Sequence, residues 1–127
     1  MPMVRIDLAR GKSEAQRVAI ADAVHQALVS IGVPEDDRFQ IVAEHDPANF
    51  IFAPSYLGLR HTEQLVMVQI TFNEGRTTAQ KQALFKAIAE GVHAAVGVPL
   101  DDVIVNLVEV KRENWSFGGG VAQYAQP

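Results

Sequence analysis

Apolar residues occupy every second position at two places in the chain, over residues 4–8 and again over residues 66–72. A period of two is typical of strands that bury one face. Two further strands are expected at about residues 39–44 and 103–110, where β-branched and aromatic residues recur. The pattern therefore predicts four main strands.

Each of the two alternating segments is followed by a helix-start sequence and an apolar helical face. Residues 13–16 and 77–80 both read as a capping box, in which a hydroxyl and a glutamine satisfy free backbone N–H groups. A glycine, Gly32 or Gly97, suits the left-handed residue that ends each helix. The apolar faces recur at helical spacing in both helices: Ile20, Val24, Ala27 and Ile31 in the first, and Leu84, Ile88, Val92 and Ala95 in the second.

The two halves of the chain match one another in sequence. Residues 3–6 match 67–70 and residues 11–16 match 75–80, and residues 32–37 match 97–102 after a slip of one residue. Such a repeat indicates that one strand–helix–strand unit occurs twice. We expect one domain over residues 1–127, with units at about 2–46 and 64–110, a short hairpin around 50–52, and a turn and short strand in 111–127.

The order of elements predicts an α/β (α+β) fold. A strand, a crossover helix and a returning strand form a parallel pair, so two units give a four-stranded mixed sheet with both helices on one face. Water would not favour the apolar side chains that we expect on the other face, so we expect that face to be buried against other subunits. This open face is expected to carry some of Met3, Val42, Met67, Ile104 and Val108.

Composition narrows the class of protein. The chain has 127 residues, of which 48% are hydrophobic, and a dispersed formal charge of −4 without a basic stripe, so no nucleic-acid partner is expected. No apolar run approaches the roughly 20 residues of a membrane helix, so no membrane partner is expected either. The absence of cysteine fits a cytoplasmic protein without disulfides. The histidines have no metal-ligand spacing, and neither a metal nor a cofactor is predicted.

Proline directly follows Met1, and distinctive short stretches accompany the repeat: residues 32–34, 36–40, 45, 76, 80–81, 101–105 and 115–118. Together these features resemble the tautomerase superfamily, and within it the malonate semialdehyde decarboxylase branch. In that superfamily the processed chain begins with proline, and the secondary amine of this proline acts as a base or an acid. The resemblance covers nearly the whole chain and implies an assembly of identical subunits, which we expect to be a trimer.

The resemblance implies roles for six residues. Pro2 would be the catalytic amine, and Asp37 would assist in acid–base work or position water. Arg76 would hold a substrate carboxylate. The apolar wall of the site would be formed by Trp115, Phe117 and Tyr124.

One position departs from the branch. The branch has a second arginine two residues before the one that matches Arg76, and this chain has Glu74 there. A decarboxylase that binds the substrate carboxylate with two arginines would lose one of these contacts, and Glu74 would add a negative charge that repels the carboxylate. Keto–enol tautomerisation needs fewer specialised groups, so it is the favoured activity.

The physical chemistry of Pro2 and Arg76 is consistent with these roles. A free α-amine has a pKa of about 7.7 to 8.0, so part of it is an unprotonated base at neutral pH. Burial or a nearby cation would lower this pKa further. Arg76 directly precedes a helix start, where free N–H groups and the fork of the guanidinium suit a carboxylate. We therefore expect a small acidic keto or enol substrate.

Three alternatives to a cofactor-free tautomerase remain open. One is a decarboxylase of the malonate semialdehyde type. Another is a hydratase or dehalogenase of small unsaturated acids, in which Asp37 activates water and a protonated Pro2 delivers the proton. The last is an oligomeric module that keeps the fold without catalysis.

Overall fold

The computed structural model describes residues 1–125 and has the predicted layers, a four-stranded sheet with two helices on one face. The main elements in chain order are β1 (Met3–Ala9), α1 (Glu14–Ser30), β2 (Gln40–His45), β3 (Ser55–Tyr56), β4 (Leu59–Arg60), β5 (Val66–Asn73), α2 (Thr78–Val96) and β6 (Val103–Val110). Short 3₁₀ turns lie at Pro47–Asn49, Leu100–Asp102, Arg112–Asn114 and Gln123–Ala125. The predicted fold class is confirmed.

The sheet has the strand order β2-β1-β5-β6. The outer pairs, β1 with β2 and β5 with β6, are parallel, whereas the central pair of β1 with β5 is antiparallel. Each parallel pair arises within one unit because its helix returns the chain to the end of the sheet at which the first strand of the unit began. The two units then join through β1 and β5, which makes the sheet mixed.

Both predicted helix starts are capping boxes. Ser13 accepts a hydrogen bond from the Gln16 backbone N–H at 3.1 Å, and the Gln16 side chain accepts one from the Ser13 N–H at 2.9 Å. Thr77 and Gln80 repeat these bonds at the start of α2. At the other end of α2, Gly97 has φ 76°, the left-handed conformation that the sequence predicts for it.

The alternating apolar residues of β1 and β5 are buried beneath the two helices. Their core partners are the predicted helical faces: Ile20, Val24, Ala27 and Leu28 of α1, and Leu84, Ile88 and Val92 of α2. Ala95, also predicted on this face, is exposed because it lies in the last turn of α2. Among residues 1–125, no helix has the length and continuous apolar character that crossing a bilayer requires.

The opposite face of the sheet carries apolar side chains, with one correction to the prediction. Met3, Ile104 and Val108 are 37–48% exposed. Val42 does not lie on this face, because its parallel register places it beside Ile6, on the side of the helices. Ile41, which is 55% exposed, occupies the open face in its place.

The hairpin between the units lies later than predicted. No strand forms around residues 50–52, where Phe50 instead stacks on His45 with the ring centroids 5.8 Å apart. The hairpin consists of β3 and β4, joined by Leu57 and Gly58 with φ values of 51° and 78°. Two positive φ values are typical of the tight turns that match the twist of a hairpin. A leucine at such a position is rare, so the turn had no recognisable signature in the sequence.

The predicted C-terminal strand is wrong within the described residues. Between Lys111 and Ala125 the chain forms turns, and the end near Tyr124 is the 3₁₀ turn Gln123–Ala125. Three successive glycines at 118–120 have positive φ, and the Gln123 side chain closes the loop by accepting from the Phe117 N–H at 2.9 Å. Gln126 and Pro127, the end of the predicted segment 111–127, lie outside the described residues.

A buried aspartate anchors the chain where it enters β5. Asp102 is fully buried, and its carboxylate accepts hydrogen bonds from the Thr62 backbone N–H at 2.7 Å and from the Thr62 hydroxyl. The neighbouring Asp101 is partly exposed and accepts one bond, from the Arg60 backbone N–H at 3.0 Å. The two adjacent aspartates therefore differ in burial and in the number of donors that depend on them.

Replacing Asp102 should destabilise the protein more than replacing Asp101. Asp102→Ala leaves two donors of Thr62 without their partner, at a cost of roughly 1–3 kcal/mol for each donor that stays buried. Asp101→Ala should cost about 1 kcal/mol or less, because water can replace the carboxylate. Urea unfolding of both variants at one protein concentration measures the difference, and equal losses would contradict this account of the anchor.

Candidate active site

The candidate residues lie around one end of the sheet, the end at which β1 begins and both β5 and β6 finish. Met3 pairs with Thr71 of β5, and Thr71 pairs with Val108 of β6. Continuing the β1–β5 register by one residue places Pro2 opposite Phe72. The segments that follow β5 and β6 therefore leave the sheet close to the start of the chain.

Pro2 is buried and is followed by a chain segment tied to the approach to β2. The Val4 N–H donates to the Phe39 carbonyl at 2.9 Å. Asp37 lies in the turn just before Phe39, and its carboxylate is 3.8 Å from the Met1 ammonium. Because Met1 is present, the nitrogen of Pro2 is an amide here. The structure thus places Asp37 beside the chain terminus, on the β2 side of Pro2.

Arg76 lies between β5 and α2, directly before the helix cap Thr77. Its guanidinium carbon is 4.3 Å from the centroid of the Phe72 ring, and one of its nitrogens donates to the Asn73 carbonyl at 3.3 Å. Within residues 1–125, no carboxylate is paired with this guanidinium within 4 Å. Arg76 therefore retains donors that can receive an anion beside the free N–H groups of the helix start.

The three predicted aromatic residues are in contact with one another. Trp115, which is only 8% exposed, stacks on Phe117 with centroids 5.4 Å apart, and Phe117 meets Tyr124 edge to face at 4.9 Å. The guanidinium of Arg112 lies 5.3 Å from the centroid of the Tyr124 ring. These rings form a continuous apolar row along the segment that follows β6.

Asn73 is a site residue that sequence reasoning missed. Its carbonyl accepts from Arg76, and its side-chain oxygen accepts from the Trp115 indole N–H at 2.8 Å. Asn73 therefore joins the arginine to the aromatic row. The available signal was a polar residue at the end of the apolar alternation of β5, three positions before Arg76.

Glu74, the departure from the branch, lies at the rim of the site. Its backbone N–H donates to the Val110 carbonyl at 2.9 Å, and its side chain is exposed. It lines an open cleft of about 610 Å³ together with Lys111, Arg112, Glu113, Tyr124 and Ala125. The cleft thus holds two cations, Lys111 and Arg112, and two carboxylates, Glu74 and Glu113.

Two family models match the chain. A family model described as tautomerase enzyme matches residues 37–118, which is more than half of the chain, and a second model with the same description matches residues 2–60. The chain belongs to the tautomerase family. The match to residues 2–60 covers the first unit and the hairpin. The match to residues 37–118 includes Arg76 and Trp115.

Whole-length relatives support this assignment. The tautomerase chain is 39% identical over 124 residues to the probable tautomerase YusQ of Bacillus subtilis (strain 168), covering 97% of this chain and 98% of YusQ. It is similar to the crystal structure of FG41 malonate semialdehyde decarboxylase inhibited by 3-bromopropiolate, at 42% identity and a TM-score of 0.89, covering 98% of this chain and 99% of that one. A wild-type fused 4-OT described as a symmetric trimer matches at 27% identity and a TM-score of 0.81, covering 98% and 99%. The resemblance to the malonate semialdehyde decarboxylase branch is confirmed, and this chain is an enzyme of the tautomerase type.

Carboxylate binding at Arg76 can be followed through Trp115, which is the one tryptophan of the chain. A small carboxylate such as pyruvate should change the Trp115 emission, because Asn73 links the indole to Arg76. Arg76→Ala should weaken this binding about tenfold or more, the loss of one charge-assisted hydrogen bond.

Lys12 offers a matched control, since it holds the place of Arg76 in the first unit. Lys12→Ala should leave the fluorescence titration unchanged. An equal loss of affinity in both variants would mean that the titration reports overall charge and not a site at Arg76.

Proposed function

We propose that this tautomerase interconverts the keto and enol forms of small carboxylated carbonyl compounds, with the Pro2 amine as the base once Met1 is removed. One observation carries the proposal. Extending the β1–β5 register by one residue puts Pro2 opposite Phe72, and the Phe72 ring bears the guanidinium of Arg76, which has no carboxylate partner among the described residues. The start of β1 and the turn after β5 would thus supply the two groups that this reaction needs, a base and a carboxylate receptor.

The division of work between the two groups follows from their chemistry. Arg76 and the start of α2 bind the substrate carboxylate and place the reacting carbon, the C–H carbon next to the carbonyl, near the amine. The amine removes a proton from that carbon and returns it to the other end of the enol system, so no atom is gained or lost. The aromatic row of Trp115, Phe117 and Tyr124 limits the access of water to the reacting atoms.

Asp37 determines which way the amine is biased. Burial of Pro2 disfavours the charged ammonium form, while the Asp37 carboxylate, 3.8 Å from the Met1 nitrogen one residue earlier, would favour it. A neutral amine serves as a base, and a protonated one serves as an acid. The position of Asp37 beside the terminus is therefore the specific observation that favours a second candidate function.

The second candidate is acid chemistry at a protonated Pro2, either decarboxylation or hydration of a small unsaturated acid. The likeness to FG41 malonate semialdehyde decarboxylase, whose inhibitor 3-bromopropiolate is a three-carbon carboxylate, supports a small acidic substrate in either case. Glu74 argues against a decarboxylase that depends on two arginines. The tautomerase reaction needs only Arg76, so it remains the first proposal.

Intact mass and a pH profile test the role of Pro2. The active protein should lack Met1, and material that keeps Met1 should be inactive because its Pro2 nitrogen is an amide. Turnover of an enol such as phenylenolpyruvate should fall on the acid side, as the amine becomes protonated. Pro2→Ala should lose roughly 10²-fold or more in kcat/KM, the scale of a general base.

The other outcomes are equally informative. A rate that falls on the alkaline side would replace the base by an acid and favour the second candidate. Full activity in Pro2→Ala would remove proline from the mechanism. No turnover by processed wild-type protein would favour the non-catalytic oligomeric module.

We further propose that the protein assembles as a homotrimer. The exposed apolar side chains of the open face support this, and so does the likeness to the fused 4-OT described as a symmetric trimer. Leu57 adds a second argument. Its side chain is 83% exposed and its φ is 51°, a conformation that leucine disfavours. In the isolated subunit Leu57 destabilises the hairpin turn and exposes apolar surface, and a contact in the assembly best explains such a residue.

Leu57→Asn should weaken the assembly without weakening the subunit. Asparagine tolerates positive φ, so the hairpin is kept, while the apolar contact is removed. Size-exclusion chromatography with light scattering should show a larger share of smaller species than for the wild type at the same micromolar concentration. Leu57→Met, which keeps an apolar side chain, should behave like the wild type. A wild-type mass near the 13.9 kDa of one chain would exclude the trimer.

A further inference from the structure

An ion pair between α2 and β6 lies next to the turn that presents Arg76. Lys81, in the first turns of α2, donates to the carboxylate of Glu109 on β6, with Nζ and Oε1 2.5 Å apart. Both side chains are only about one-third exposed or less. Glu109 pairs in the sheet with Phe72, the residue whose ring lies beneath the guanidinium of Arg76. The ion pair is therefore close to the candidate carboxylate receptor.

The charge of Glu109 is influenced by Lys81 and by the turn itself. The hydrogen bond from Lys81 lowers the pKa of Glu109 against the opposing effect of its partial burial. The charge of Lys81, a hydrogen bond from the Gly75 backbone N–H and the charge of Arg76 lower this pKa further. Glu109 is thus ionised at neutral pH, close to the turn that presents Arg76.

We propose that Glu109 is a positioning residue that fixes the Gly75–Arg76 turn, and that Lys81 satisfies its charge so that Arg76 stays free for the substrate. This inference rests on the proposed role of Arg76 as the carboxylate receptor. Gly75 has φ 119°, a conformation open to glycine and few other residues, so the turn is held by its contacts and not by backbone preference. Glu109, which Lys81 holds and which pairs with Phe72 in the sheet, lies beside this turn.

The role of Lys81 follows from the charges. An ionised Glu109 without a cationic partner would attract the nearby guanidinium of Arg76 and compete with the substrate carboxylate. Lys81 occupies Glu109, and Arg76 has no carboxylate partner within 4 Å in the described part of the chain. Removing either member of the pair should therefore weaken substrate binding. Loss of Glu109 would leave the turn less firmly held, and loss of Lys81 would leave Glu109 free to attract Arg76.

The first unit contains a corresponding ion pair but has Lys12 where the second unit has Arg76. Arg17 of α1 pairs with Glu44 of β2 at 3.3 Å, and these residues correspond to Lys81 and Glu109 in the repeat. Arg17 also donates to the Lys12 carbonyl at 2.7 Å, in the turn that corresponds to Arg76. The pair is thus a structural feature of both units, while its proximity to Arg76 is confined to the second. Glu44→Gln is therefore a matched control for Glu109→Gln.

Steady-state kinetics of the processed full-length protein test the inference. Glu109→Gln and Lys81→Met should each raise KM for a carboxylate enol about tenfold with little change in kcat, because part of one charge-assisted contact is lost. Lys81→Arg, which keeps the pair, should restore a KM close to that of the wild type. Glu44→Gln should leave both constants unchanged, although its effect on the urea midpoint should be similar to that of Glu109→Gln.

A double-variant cycle separates a positioning role from a structural one. In an Arg76→Ala background, Glu109→Gln should raise KM no further, because it acts through Arg76. A persistent effect in that background, or an equal rise of KM in Glu44→Gln, would overturn the inference. If Arg76→Ala is costly and both Glu109→Gln and Lys81→Met are silent, the positioning role alone fails. If Arg76→Ala itself leaves KM unchanged, it is the proposed carboxylate receptor that fails.

Discussion

The antiparallel pairing of β1 with β5 is the constraint on which the rest of the structure depends. Each unit could form its own parallel pair, but only this central pairing joins the units into one sheet over one core. Because the strands run in opposite directions, β1 begins where β5 ends. The start of the chain is thereby brought to the turn that precedes α2, so the contact that completes the core also assembles the candidate site.

Duplication leaves the two ends of the sheet equivalent in fold but different in chemistry. Val66 holds the place of Pro2 in the second unit, and Lys12 holds the place of Arg76 in the first. A residue inside the chain has no free amine, so the opposite edge cannot supply the same base. The proposed base is therefore available only in the first unit, although the two units share a fold.

Periodicity predicted the elements that bury a core, because burial acts on each strand and helix through its own local pattern. It misplaced Val42 because Phe39 and Ile41 are apolar as well. Only the register with β1 decides whether the even-numbered or the odd-numbered residues of β2 face the helices. The hairpin was predicted too early in the chain because Leu57, in its turn, adopts a conformation that its residue type disfavours. After β6 the expected turn is present, but the chain remains in turns, with three glycines at positive φ, where a short strand was expected.

Resemblance and residue type indicated the groups that would meet the substrate, but not those that hold them in place. Asn73 and Glu109 carry no motif, and their contacts to Trp115 and Lys81 arise only when the elements around them pack together. An arginine alone is flexible and can bind many anions. Its selectivity depends on how firmly the turn beneath it is held, and in this chain that firmness comes from side chains on neighbouring elements.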